Sequence, residues 1–430
     1  MPALRGRSSA ALVAKVGADQ LKVWCLRALT VFSIGYIVAS QGLADLPGWS
    51  RLGFLLAALL LGILAIGRLA GTFQFRSVSS VWVSLLFVGY CVVRAVPEAG
   101  ADWPLDALYR LASAFVGGIG IGLALQAGVP FKAVVWAQTI TILANMGAGF
   151  FGVGSEAPNG ADLDRFSGLT GNANELALQL TLGACLIWLS PRKAGRFPSW
   201  LAVGAVVYAF LTAGSRKSLL SVPVFIFLVF LQLASAAKKR HLFTALVLMG
   251  PLLILAVSLG PMIIEHAKNV PTVQRALTYE NDSSYSTRVE MLHVGLRLWQ
   301  SSPVLGRGTD AFTRLSGFDT YAHNNFMELL CDLGVLGALL FYGIHFFIIL
   351  KCLRMPMPLK LYCVVFVLML VGLDLGTVSY YRKQTIMIMM ILASVAAAPE
   401  ILVPARRRKQ QAPPIGSAYP QVPLQAHAGR

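Results

Sequence analysis

The chain has 430 residues, 56% of them hydrophobic and only 13% charged, with Lys+Arg 36 against Asp+Glu 19 and a formal net charge of +17. Its mean hydropathy is +0.68. A soluble domain is about a quarter charged, so composition excludes an ordinary water-soluble enzyme. The surplus of cations is then either a nucleic-acid footprint or a membrane-topology signal.

In chain order, apolar stretches approaching the roughly 17–25 residues of a membrane helix predict twelve spans. They are 28–43, 53–70, 78–96, 107–127, 131–151, 174–189, 200–213, 219–237, 242–264, 325–350, 361–378 and 385–398. The seventh and twelfth are short and borrow flanking residues. The basic stretch up to Arg27 leads straight into a full span, so no cleavable signal peptide is read here. The sequence thus predicts an all-α polytopic membrane protein with a large, partly helical external loop between the ninth and tenth spans.

Charge then separates the two sides. One alternate set of connections, with both termini, holds 22 Lys+Arg opposed only by Asp19 and Glu400. The other set holds 12 Lys+Arg and 13 Asp+Glu, and Arg94, Arg110, Glu175, Glu328, Asp332 and Asp374 fall inside spans. This alternation is the positive-inside pattern. It places both termini in the cytoplasm and leaves no need for a nucleic-acid partner. The domain reading follows: 1–27 a cytoplasmic N-terminus, 28–264 spans one to nine, 265–324 an external loop, 325–398 spans ten to twelve, and 399–430 a basic disordered tail. The six cysteines lack metal-ligand spacing and read as small apolar residues. The glycine run Gly117, Gly118, Gly120 and Gly122 reads as a close helix contact rather than a phosphate loop.

Two external connections are long, 152–173 with 22 residues and 265–324 with 60. Loops of that length are usually functional. In the second, Thr287 and Glu290 fit a capping box, Thr287 as N-cap. Val289, Leu292, Leu296 and Trp299 follow at helical spacing, for a helix lying on the membrane or the bundle. Pro303 ends it, and Gly306 and Gly308 make a turn.

The polar residues that stand out are external. Arg216 and Lys217 occupy a tight turn between the seventh and eighth spans, where they either snorkel to lipid headgroups or form an anion site, since a guanidinium offers phosphate a bidentate fork. Arg288 in the first turn of the capped helix opposes the macrodipole, which suggests either an anionic partner or a salt bridge to Glu290 or Asp282. His323 lies at the boundary of the tenth span, as an interfacial residue or as a proton acceptor near neutral pH. Glu328 and Asp332 are four apart on one helix face, and ionisable groups at membrane depth generally face a polar cavity.

Taken together these residues resemble the O-antigen ligase family of membrane glycosyltransferases. Four ordered pieces carry the resemblance. They are Arg165, Phe166, Ser167 and Gly168 with Asn172 and Asn174; Gly214, Ser215 and Arg216; Thr287 and Arg288 with Pro303, Gly306 and Gly308; and His323, Asn324, Phe326, Glu328, Gly334 and Gly337. The resemblance implies a metal-independent, cofactor-free, inverting transfer of glycan from undecaprenyl diphosphate to the lipid A–core oligosaccharide. The site would lie on the periplasmic side of a Gram-negative inner membrane. In that reading His323 is the general base, Arg216 and Arg288 clamp the diphosphate with Lys217 or Arg165 assisting, and Asn324 or Glu328 orients the imidazole, with Asn172 and Asn174 in support. An O-antigen polymerase would use the same clamp on a second carrier-linked glycan. A secondary transporter would instead show a six-span repeat, and none is evident in the sequence.

Overall fold

The computed structural model describes residues 3–42, 49–76, 79–96, 104–151, 155–156, 165–190, 194–215, 217–236 and 283–402. The ninth expected span, the first part of the long external loop and the tail from 403 lie outside the described residues.

The described chain is helical. Helix α1 (Ala3–Ile37) runs into a π-helical turn (Val38–Gly42), followed by α2 (Trp49–Leu69), α3 (Ser79–Arg94), α4 (Leu105–Ala127) and α5 (Phe131–Phe150). Then come α6 (Ala173–Leu189), α7 (Arg196–Thr212), α8 (Ser218–Ala236) and α9 (Ser283–Gln300). The short α10 (Ala311–Leu315) precedes α11 (Asn325–Cys352), α12 (Leu359–Leu373) and α13 (Lys383–Ala397). Two antiparallel strands of two residues, β1 (Ser155–Glu156) and β2 (Arg165–Phe166), pair within the 152–173 connection. Among the described residues, five helices are long and apolar enough to cross a membrane, and six shorter apolar helices accompany them.

Local chemistry sets the helix limits. Gly128 ends α4 in the left-handed region, its N–H reaching the Ala124 and Leu125 carbonyls, and Pro130 then opens α5. Asn172 caps α6 by accepting the Asn174 N–H at 2.9 Å. The glycine run of α4 is a packing surface, as its composition suggests: a Cβ on Gly117 would overlap the Tyr36 ring, and one on Gly122 would lie 3.0 Å from the Met390 carbonyl of α13. All six cysteines are buried and unpaired.

Several boundaries differ from the sequence reading. The loop helix begins at Ser283, so Thr287 is interior rather than an N-cap and Arg288 falls in the second turn. Its buried stripe is Met291 and Gly295 with Trp299, packed against Phe312, Ala322, Cys331 and Met327, while Leu292 and Leu296 are exposed. Gly295 sets that choice, because its bare backbone lets Met327 approach and its carbonyl accepts the Cys331 thiol at 3.0 Å. Helix α12 stops at Leu373, leaving 374–382 as a non-helical connection that is buried at Asp374 and at 377–380. Ahead of the basic run, Pro399–Leu402 is a helical turn with Ile401 buried and Glu400 paired with Arg76 at 2.6 Å.

One helix is broken on purpose of packing. Within α11, Gly334 has φ 65 and ψ −169. The Val335 and Leu336 N–H groups freed there donate to the Pro303 and Val304 carbonyls, and the Arg307 and Gly308 N–H groups donate to Cys331 and Asp332. Interrupted backbone at membrane depth is tolerated only when other protein groups satisfy it, and the turn carrying Gly306 and Gly308 supplies them.

Candidate active site

His323 sits in the segment entering α11 with φ 52, a left-handed conformation that is uncommon outside glycine and clusters at functional sites. The backbone on both sides of it is fastened to the first turn of that helix. The Ala322 N–H donates to Glu328 Oε2 at 2.5 Å, and Asn324 caps the helix by accepting the Met327 N–H at 3.0 Å. The imidazole packs against Tyr321 with ring centroids 4.3 Å apart.

Three cations act on this ring. Burial, then Arg288, Lys217 and Arg382, push the His323 pKa down from 6.5 to about 4. Lys217, buried in the α7–α8 turn, falls to about 7 through burial, Arg382 and Arg288, with Glu175 opposing. Burial raises the Tyr321 hydroxyl, whose field again contains Arg382, Glu175, Arg288 and Glu328. The cluster therefore draws on α6, the α7–α8 turn, α9 and the entrances of α11 and α13. Its tightest ion pair joins Arg382 Nη2 to Glu175 Oε1 at 2.7 Å across 207 positions of sequence.

The carboxylates of α11 act as struts. Asp332 accepts the Phe312 N–H at 2.8 Å, the Asp310 N–H at 3.1 Å and the Tyr380 hydroxyl at 2.8 Å. Glu328 takes the Tyr381 hydroxyl at 3.4 Å besides the Ala322 N–H. Asn325 receives the Ser379 and Tyr380 N–H groups and donates to Asp374 at 3.1 Å. The loop before α11 and the connection before α13 are thereby locked to one helix, which brings His323 and Arg382 to one place.

Of the residues singled out in sequence, the structure gathers His323, Arg288 and Lys217. Asn324 and Glu328 hold backbone, and neither has a described bond to the imidazole. Asn172 caps the helix whose first turn presents Glu175, and Asn174 is the residue whose N–H it receives. Arg165 is described by its backbone alone, paired with Glu156, and Arg216 lies outside the described residues. Arg382 was missed. It is one of the external Lys and Arg that the topology rule leaves unexplained, and weighing each of those cations equally would have raised it. Among the described residues, no three His, Cys, Asp or Glu side chains form a metal-binding group.

Residues 200–342 match the family model described as O-antigen ligase. No curated protein matches the chain. The matched segment is about one third of the 430 residues and contains Lys217, Arg288 and His323, whereas Glu175 and Arg382 lie outside it. Over that segment the chain is similar to O-antigen ligases, and the described residues include five helices long and apolar enough to cross a membrane.

Proposed function

We propose that the chain is an inverting glycosyltransferase that moves O-antigen glycan from undecaprenyl diphosphate to the lipid A–core oligosaccharide, on the periplasmic side of a Gram-negative inner membrane. The observation that carries this reading is the convergence of Lys217, Arg288 and Arg382 on the neutral ring of His323. A neutral imidazole can accept a proton, and fixed cations beside it can hold a leaving diphosphate.

In the transfer, the acceptor hydroxyl oxygen forms a bond to C1 of the donor sugar as the bond from C1 to the diphosphate oxygen breaks. The electron pair leaves on the diphosphate, held by Arg288 and Lys217, with Arg216 and Arg165 proposed beside them. The hydroxyl proton passes to His323. The cations supply the charge neutralisation, so transfer is expected to continue in EDTA. An apolar hollow of about 630 Å³, lined by Met146, Phe150, Phe166, Tyr208 and Leu211, lies between α5 and α7. It is suited to a lipid tail arriving near Lys217.

The test is product analysis of purified protein given carrier-linked glycan and lipid A–core, with EDTA present. A single glycan addition to lipid A–core supports the reading. A ladder of lengths on the carrier would show a polymerase, and no glycan product would overturn both.

A further inference from the structure

A second polar space adjoins the cluster. A cavity of about 220 Å³ is lined by Ser40, Gln41, Gln179, Tyr381, Arg382 and Gln384 among its wall residues. That is below the roughly 300–1,000 Å³ of a drug-sized site, and suits a single sugar ring. Arg382 is common to both places, forming part of this wall while acting on His323.

The wall is built rather than incidental. Gln41 and Ser40 belong to the π-helical turn that ends α1, and such turns occur frequently at functional sites. The Gln41 side chain is 4% exposed, and its Oε1 accepts no hydrogen bond among the described residues. Its Nε2 meets only the Met387 sulfur, at 3.4 Å. Around it, Gln179 donates to the Gln41 carbonyl and Gln384 donates to the Gln179 carbonyl. A buried acceptor left unpaired costs free energy; Oε1 is also closed off from solvent, so a ligand hydroxyl would satisfy it once the Gln41 side chain turns into the cavity that the residue lines. Amides, hydroxyls and a tyrosine ring, beside the charged Arg110, Glu175, Arg382 and Lys383, match the alternating donors, acceptors and apolar faces of a sugar.

We propose that this cavity between α1, α4, α6 and α13 is a saccharide subsite, holding one ring of the glycan that is transferred or of the glycan that accepts it. The subsite rests on the glycan-transfer reading, and Gln41 binds here rather than taking part in the chemistry.

The experiment uses the full chain in lipid nanodiscs. Calorimetric titration with two lipid-free probes, the released O-antigen oligosaccharide and the released core oligosaccharide, compares the native protein with Gln41→Met. Methionine keeps the volume and removes the unpaired acceptor. One probe is expected to bind the native chain, and about tenfold more weakly the variant, with the unfolding temperature not lowered. The probe that binds identifies the source of the ring. Equal binding by both proteins, or no binding of either probe to the native chain, would overturn the subsite. Binding retained in a protein that transfers no glycan would count against the transferase reading alone.

Discussion

Burial of the His323 imidazole, helped by three cations within electrostatic reach, keeps it neutral at pH values where a free histidine would titrate. The free enzyme should therefore keep its proton acceptor well below pH 6.5, with the acid limb of kcat/KM near pH 4. A bound diphosphate adds negative charge, favours the imidazolium and raises this pKa, so the acid limb of kcat should lie at higher pH than that of kcat/KM. Initial rates across pH check both, and a kcat/KM limb at or above 6.5 would contradict the described field. Stability has the same sign. The depressed pKa contributes fully above 6.5 and the contribution is lost as pH falls through about 4. Lys217, at about 7 in the empty site, should become fully protonated when the anion arrives. Calorimetry of donor binding at pH 7 in buffers of different ionisation enthalpy is expected to show uptake of about half a proton.

At the scale of elements, the break within α11 depends on two glycines, Gly334 and Gly306, that meet backbone to backbone. A Cβ on Gly334 would lie 2.3 Å from the Val304 carbonyl oxygen, and one on Gly306 would lie 2.4 Å from the Asp332 carbonyl. Both have positive φ. Gly334→Ala is expected to cost at least about 2 kcal/mol and to lower activity by displacing the loop that leads to His323. Gly62→Ala, in open space within α2, should instead leave stability unchanged or raise it by up to about 1 kcal/mol. Thermal unfolding of the two variants makes the comparison. Gly306 was legible as a turn residue beside Gly308, whereas Gly334 entered only through the family resemblance. Their pairing across the break in α11 was not legible, because hydropathy averages over a helix and cannot register one freed turn. The capping-box pattern at Thr287 failed because the helix already runs from Ser283, four residues before it.

For the whole molecule, the sequence located helices in eleven of the twelve expected places, and the remaining one, the ninth, lies outside the described residues. Runs of apolar residues are a local property, so the helices read well. The convergence of Glu175 with Arg382 across 207 positions is a tertiary fact, and Arg382 gave no local sign beyond being an external cation. The twelve-span, termini-inside arrangement remains a proposal with a direct check. A cytoplasm-requiring fluorescent reporter fused after Arg430 should fold and fluoresce, and a periplasm-requiring phosphatase inserted after Gln300 should be active. The opposite pair of outcomes would reverse the orientation and remove the site from the periplasmic face.

The most direct measurement is glycan transfer by purified His323→Ala and Arg288→Ala variants beside the native chain, each supplied with defined carrier-linked glycan and lipid A–core. Both variants should fold, insert and still lose transfer, His323→Ala by roughly 10²–10⁴. Near-native transfer by His323→Ala would remove the proposed base, and near-native transfer by Arg288→Ala would remove the proposed diphosphate clamp.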